Sequence, residues 1–533
     1  MSVTGTSLKS STDKKAMRTV LIGAFLGSCF EWYDFFLYTA LVVFFSELFF
    51  PKENPTAALL SSFATYGVAF VIRPFGALLF GRLGDLVGRK YTFLLTIILM
   101  GIATMGIGLL PTFEQIGWVA PVMLLLLRLM QGLSLSGEYS GAITYVAEHV
   151  GEQRRGYQTS WMQAGVPVGN ILSVMAVLAS RWGTGREQFA LWGWRLPFLF
   201  SIVLLAISVF IRLRMEESPV FNEMKRARKQ AKAPILETFN NLTNLKFLLI
   251  AFLMVVGQVV IGYMRVYLLI FMLAVLKLED VTAYLLITVG NIIAIPLSVL
   301  SGWWSDVIGR KWIMLGGCLL AALTFFPIFK GLTHYANPAL ESAQARTPVS
   351  VASSDCHVHL INTPNLKLSP CDQVKGFLTS RGVTYKSLPG VGGDEVVITI
   401  GDRELKGFNP NQLAAALAAA GYPEKADPGK ANLFMVELLI VVLSLYQALT
   451  FGPLGAFLTE QFPARVRYTS VSVAYNFGAG WVGGLTPFFV TALSVSAGNI
   501  YYGIWFPVIV CAVVFTLGAL LVKETKDYRI RDI

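Results

Sequence analysis

Long apolar stretches separated by short polar ones dominate this chain. Twelve of them, near residues 19–45, 57–80, 91–110, 119–147, 159–180, 194–211, 247–275, 281–303, 312–333, 433–458, 469–493 and 500–522, have about the length that crosses a bilayer as a helix. They read as spans 1 to 12. The pattern breaks only once at length, over residues 334–431, where the sequence is polar and mixed. The first 18 residues are polar and lightly basic, and the run that begins at Thr19 has no small-residue cleavage site after it, so it reads as an uncleaved first span.

Composition sharpens this picture. Hydrophobic residues make up 55% of the 533 and charged residues 14%, with a mean hydropathy of +0.61. Soluble chains carry roughly 25% charged residues, so the solvent for most of this surface is lipid. A net charge of +11 raises the question of nucleic acid, and the distribution of that charge answers it. With the N-terminus inside, about 25 of the 43 Lys and Arg fall in cytoplasmic segments and about 5 in short external loops, the asymmetry of the positive-inside rule. The loop 211–246 alone holds Arg212, Arg214, Lys225, Arg226, Arg228, Lys229, Lys232 and Lys246. The basicity is topology, and no nucleic-acid partner is expected.

The chain also repeats itself. GRLGDLVGRK at 81–90 returns as GWWSDVIGRK at 302–311, after span 2 and after span 8. Glu148 with Arg154 and Arg155 follows span 4, and Glu460 with Arg465 and Arg467 follows span 10. Glu217-Ser218 and Glu524-Thr525 close spans 6 and 12. Two six-span halves related by an axis along the membrane normal is a known transporter architecture. Gly81 to Glu148 is 67 residues and Gly302 to Glu460 is 158, so the second half holds an insertion of 91 between spans 9 and 10. The expected division is a cytoplasmic tail 1–18, a first half 19–213, a basic linker 214–246, a second half 247–333 and 432–522, and a tail 523–533.

Residues 334–431 form the expected external insert, a small α+β unit. Val396–Ile400 with Gly401-Asp402 reads as a strand and turn, and Asn411–Gly421 as a helix with a glycine stop. Cys356 and Cys371 fall on the oxidising side, where a pair tends to form a disulfide. His357 and His359 flank Cys356, but the spacing lacks a CxxC unit, so a disulfide is favoured over a metal site.

The decapeptide and its second copy resemble the signature of the major facilitator superfamily. EWYDFFLY (31–38), RPFGALLFGRLGDLVGRK (73–90), RLMQGLSLSGEYSGA (128–142), WGWRLPF (192–198), EESPVF (216–221) and PARVRYTSVS (463–472) are similar to its metabolite:H+ symporter family. The resemblance covers both halves and not the insert; the second signature departs from it at Trp304. It implies an all-α membrane protein with the major facilitator fold, in the bacterial inner membrane, both termini cytoplasmic and the insert periplasmic. It also implies alternating access and proton-coupled uptake of small organic acids or zwitterions, by a monomer among membrane lipids, with no cofactor. Arg128 matches a span 4 motif linked to proton coupling.

The signature's physics is legible without the family. Gly81, Gly88 and Gly309 permit close approach, while Asp85 and Asp306 lie in reach of Arg89 and Arg310. With Lys90, Lys311, Glu148, Arg155, Glu460 and Arg465, these charges form a candidate gate at one membrane face.

Ionisable residues inside spans cost roughly 2.5–3.5 kcal/mol each and default to function. Glu31, Asp34 and Tyr38 share one face of span 1, and Arg128, Gln131 and Glu138 one face of span 4. Glu31, Asp34 and Glu138, with Arg128, are the proton-coupling candidates, since a low-dielectric cavity favours the neutral acid. Arg73, Arg128 and Arg265 are the expected intramembrane cations, and a guanidinium suits a carboxylate. The candidate substrate contacts are Arg73, Arg265, Tyr38, Gln131, Gln258, Gln447 and Asn476, although such amides also serve as interhelical bonds. Gly165, Pro167 and Gly169 in span 5, and Gly478, Gly480, Gly483 and Gly484 in span 11, mark sites of bending.

Transport of a small organic acid is the favoured reading. A proline- or betaine-type porter remains open because the interior offers both signs of charge. A transporter-like sensor reading its ligand through the insert is the alternative of another class. An ATP-driven pump would need a GxxxxGK[ST] loop, which the sequence lacks. An enzyme would need a nucleophile–base set or metal cluster, which four scattered histidines do not supply.

Overall fold

In the computed structural model, residues 11–50, 62, 65, 67–150, 154–353, 369–389 and 395–528 are described. Cys356, His357 and His359, named above for a disulfide or metal, lie outside them. Among the described residues, eleven helices are long and apolar enough to cross a membrane. The remaining expected span, the second, is described in part, as helix over 67–71 and Arg73–Leu86. The first helix begins at Ser11, earlier than its apolar run, so part of the expected tail is helical. Spans 3 to 6 are Arg89–Leu109, Val119–His149, Arg155–Thr184 and Leu196–Leu213. Spans 7 to 9 are Leu242–Ile270, Asp280–Ile308 and Arg310–Ala336. Span 10 runs as Leu433–Phe451 and Leu454–Gln461, span 11 from Arg467 to Ala497, and span 12 as Trp505–Leu521.

The two glycine-bearing spans differ: span 5 stays one helix, Arg155–Thr184, through Gly165, Pro167 and Gly169. Span 11 loosens to a π-turn over Gly478–Gly483, and span 7 ends in another over Phe271–Val275. The halves meet along spans 2 and 11 and along spans 5 and 8, and glycines set the spacing. A β-carbon on Gly84 would lie 2.3 Å from the Tyr468 ring, and one on Gly302 would lie 2.6 Å from the Gly156 carbonyl. The indole of Trp304, the departure from the signature, is half-exposed and takes no place in this contact.

The insert is built on a four-stranded sheet of order β2-β1-β3-β4. Helix α1 (Pro338–Arg346) leads into β1 (Val349–Ser353), then α2 (Pro370–Ser380), β2 (Tyr385–Pro389), β3 (Val397–Ile400), β4 (Arg403–Lys406) and α3 (Pro410–Ala419). Strand β1 pairs parallel with β2 and antiparallel with β3. Val349, Val351, Ile398 and Ile400 bury one sheet face against Val374, Leu378, Leu413 and Leu417 of the helices. Cys371, in the first turn of α2, is buried and disulfide-bonded.

Hydrogen bonds fasten this unit to the second half. Tyr385 donates its amide to the Gly498 carbonyl at 2.7 Å and its hydroxyl to that of Val495 at 2.6 Å. Asn337 donates to the Leu276 carbonyl at 2.9 Å, and the Asn432 amide to that of Tyr335 at 2.8 Å. The insert is therefore seated on the ends of spans 7, 9 and 11, opposite the signature loops.

Candidate functional site

The charged lock at the signature side is built twice. Asp85 pairs with Arg89 at 3.2 Å and Asp306 with Arg310 at 2.8 Å, the contacts their i,i+4 spacing implies. Each aspartate also reaches into the other half. Asp85 accepts the Thr469 amide at 2.9 Å and its hydroxyl at 2.8 Å, at the start of span 11. Asp306 accepts the Gly156 and Tyr157 amides at 2.9 and 2.8 Å, at the start of span 5. A carboxylate on free amides at a helix N-terminus satisfies orphan donors and complements the helix dipole.

The glutamates cross over as well. Glu148 binds Arg467 of the second half at 2.9 Å and Arg89 at 3.4 Å. Glu460 binds Arg155 of the first half at 2.8 Å and Arg310 at 3.2 Å. Ser218 donates to Glu148, and Thr525 to Glu460 at 2.6 Å. Glu217 accepts the Arg89 and Lys90 amides, and Glu524 those of Arg310 and Lys311. Gly88 and Gly309, at φ 135° and 109°, make the turns that bring these amides round. Arg465 was expected in this lock, and its place is taken by Arg467. Arg465 instead forms an exposed pair with Glu237 of the linker.

Asp85, Arg89, Glu148, Arg155, Arg310, Glu460 and Arg467 are buried, so the centre of the lock is closed to water. A buried ion pair offsets desolvation only partly. Opening, which returns the charges to water, therefore costs less than the pair energies alone suggest.

A second polar cluster lies within the first half. Glu138 pairs with Arg212 at 2.6 Å, both buried. Arg212 reads from the sequence as one of the charges of the loop 211–246, with Arg73, Arg128 and Arg265 as the intramembrane cations; in the structure it is buried at the end of span 6 and joins them. Its guanidinium lies on the Phe93 ring, 3.6 Å from the centroid, and against Gly27, one turn before Glu31. Glu31 Oε1, Asp34 Oδ1 and Glu138 Oε2 are buried and accept no hydrogen bond among the described residues. Arg128 donates to Gln131 at 2.7 Å, and Gln131 to Thr104 at 2.8 Å. The Arg128 guanidinium stacks 4.3 Å from the Tyr38 centroid, while the Tyr38 hydroxyl donates to the Ser62 carbonyl. Tyr38 and Gln131 thus orient Arg128.

The second half holds a different set. Arg265 donates to Gln447 and to Asn291, each at 2.7 Å. A β-carbon on Gly262 would lie 3.6 Å from the Gln258 amide and 3.8 Å from that of Gln447, so these side chains converge. Glu437, in span 10, brings a buried carboxylate that accepts no hydrogen bond among the described residues. Glu437 and Asn291 escaped the sequence reading. An acid inside the run LFMVELLIVVL was the signal for Glu437.

Between the sets, Arg73 donates to Asn476 at 3.0 Å and Asn476 to the Ser136 carbonyl at 2.7 Å, tying span 2 to span 11 and span 11 to span 4. Tyr139 stacks on Tyr475 with centroids 3.9 Å apart. Tyr446 bonds Thr324 at 2.8 Å, an interhelical contact. Arg73 and Asn476 therefore sit at the join of the halves, and Arg265, Gln258 and Gln447 form the polar patch of the second.

A paired gate beside a charged interior is the anatomy of a carrier, and comparison with known families agrees. The family described as Major Facilitator Superfamily matches residues 24–334. The chain belongs to the Major Facilitator Superfamily. It is 31% identical to the inner membrane metabolite transport protein YhjE of Escherichia coli (strain K12), over 95% of this chain and 94% of that one. It is 36% identical to the shikimate transporter of the same organism, over 59% and 72%. It is 38% identical to a putative proline/betaine transporter of Staphylococcus aureus (strain COL), over 59% and 67%. The solved proton:xylose symporter XylE bound to 6-bromo-6-deoxy-D-glucose shares the fold, with TM-score 0.67 at 15% identity over 97% and 98% of the chains. This superfamily carrier is a multi-span membrane transporter whose relatives are transporters rather than enzymes.

Proposed function

We propose that this carrier imports a small carboxylate-bearing metabolite, an organic acid, in symport with protons across the inner membrane. The observation that carries this reading is the buried acid cluster of the first half. Glu31 interacts electrostatically with both Glu138 and Asp34, and Arg212 pairs directly with Glu138. Acids that close in low dielectric cannot all ionise cheaply. Proton release then requires the cluster to rearrange, with Arg212 placed to move from Glu138 toward Glu31.

In this reading the signature side is cytoplasmic, the insert is periplasmic, both termini are inside, and the carrier works as a monomer. The closed lock at the signature side then leaves the chain facing outward or occluded. Arg265 receives the substrate carboxylate, held in place by Gln447 and Asn291. The names of the shikimate transporter and of YhjE support a metabolite substrate.

A zwitterion is the second reading, favoured by one observation. Glu437 presents an acceptor without a donor in the same half as Arg265, and a relative is named a proline/betaine transporter. Uptake into proteoliposomes with an imposed inward proton gradient separates the two. Accumulation of dicarboxylates or shikimate, abolished by a protonophore, supports the organic-acid reading. Accumulation of proline or betaine alone replaces it with osmolyte import.

A further inference from the structure

On the signature side, the ends of spans 7, 10 and 12 line a cavity of about 430 Å3. Lys246, near the start of span 7, and Lys523, just past span 12, bring two positive charges to its wall. No acidic residue lines it among the described residues. Both lysines are exposed, and neither side chain has an ion-pair or hydrogen-bond partner among the described residues. Phe247, Ile250 and Leu521 supply an apolar wall. Along both helices the charge stands outermost. Ile250 lies one turn deeper in span 7 than Lys246, and Leu521 comes before Lys523 as span 12 leaves the membrane.

Lysines at span ends commonly reach for the membrane interface and need no ligand to do so. Gln461 is different. It ends the helix that closes span 10, is only 5% exposed, and lines the same cavity. Its side-chain amide has no hydrogen-bond partner among the described residues, whereas the preceding Glu460 is bound by Arg155, Arg310 and Thr525. A buried amide left unpaired is costly, so its position asks for a partner from outside the fold. The NH2 group of that amide can donate to a phosphate or ester oxygen.

We propose that this cavity binds an anionic phospholipid. The lipid phosphate lies against Lys246 and Lys523, Gln461 donates to the headgroup, and an acyl chain follows Phe247, Ile250 and Leu521. Basic pockets between span ends are a recurrent form of headgroup recognition. The ordering of the wall selects a lipid over a free anion, because a solvated phosphate gains nothing from apolar side chains beneath it. The occupant would bear on the lock, since Gln461 adjoins Glu460 and Lys523 adjoins Glu524, which accepts the Arg310 and Lys311 amides. The site is separate from the Arg265 patch and independent of which substrate is carried.

The test is native mass spectrometry of the delipidated full chain in neutral detergent, titrated with phosphatidylglycerol or phosphatidylcholine. Inorganic phosphate serves as competitor. The first phosphatidylglycerol should bind about tenfold tighter than phosphatidylcholine, and millimolar phosphate should leave it in place. Lys246→Gln combined with Lys523→Gln, both at exposed positions, should weaken it about tenfold. Removing two exposed linker charges instead, by Lys225→Gln with Lys229→Gln, should leave it within about twofold. Gln461→Leu changes no charge and should weaken binding about threefold. Folding is checked by elution and melting, and the lysine pair decides the matter if Gln461→Leu does not fold. Unchanged binding in the folded lysine pair would overturn the proposal, as would unchanged binding in folded Gln461→Leu. An equal loss in the linker pair would reduce the effect to net charge, and displacement by phosphate would make this a free-anion site. Either result, or equal binding of phosphatidylcholine, would also overturn the proposal. Because binding is read without transport, a failure here is distinct from a failure of the symport reading.

Discussion

At the signature side the two halves match residue by residue: Asp85 with Asp306, Arg89 with Arg310, Glu148 with Glu460, Arg155 with Arg467, and Glu217 with Glu524. One turn after another toward the membrane centre, the match dissolves. Counting ten residues back from Glu148 and Glu460 gives Glu138 and Thr450; counting twenty back gives Arg128 and Ile440. Five residues before Glu217 and Glu524 stand Arg212 and Ala519. The second half has its own polar positions, with Glu437 and Gln447 where the first has Leu125 and Leu135. Rocking two halves about one axis demands a symmetric hinge and lock, because each half must close on the other. Chemistry makes no such demand, and the duplicated halves have diverged there into an acid cluster and an Arg–amide patch.

Removing Arg212 is the largest expected blow to this contrast. Arg212→Gln strands a buried Glu138 carboxylate, which destabilises by about 3–5 kcal/mol, and uptake should fall at least a hundredfold. Adding Glu138→Gln should recover most of the stability, read by thermal melting, without recovering proton-driven uptake. Normal uptake in Arg212→Gln would mean that the first-half cluster is structural.

The lock should behave as a matched pair. A hydrogen bond to a charged group is worth about 1.5–3 kcal/mol, so Asp85→Asn and Asp306→Asn should each shift the closed–open balance by about tenfold or more. Labelling of a cysteine placed at the signature side reads that shift. Effects that differ by more than about fivefold would break the symmetry claimed for the gate.

Smaller effects should follow from glycine spacing. A methyl group at Gly84 meets the Tyr468 ring, so Gly84→Ala should loosen the closed contact of spans 2 and 11 and raise the same labelling severalfold. Arg465→Ala, which removes only an exposed pair, should leave uptake within twofold and stability within about 0.5–1 kcal/mol.

Much of this was legible in the sequence. Hydropathy gives the spans, and the repeated decapeptide gives the halves and the place of the insert. The local aspartate–arginine contacts follow from their i,i+4 spacing. Partner exchange across the halves does not, because Glu148 has arginines close by in sequence and yet binds Arg467, 319 residues away. Arg212 was hidden for a related reason. It ends an apolar run two residues before Arg214, so it reads as a loop charge, and only the packing of span 6 on Gly27 and Glu138 reveals it as buried. Glu437 lies only four residues past the start of span 10, so the acid inside that apolar run passes for a span-end charge.

The central claim is that the first half carries the proton and the second half the substrate. Proteoliposomes test it most directly when substrate exchange and proton-driven accumulation are measured in the same preparation. Asp34→Asn should retain exchange and lose accumulation, whereas Arg265→Gln should lose both. Full accumulation by Asp34→Asn, or exchange undiminished in Arg265→Gln, would contradict the division of labour.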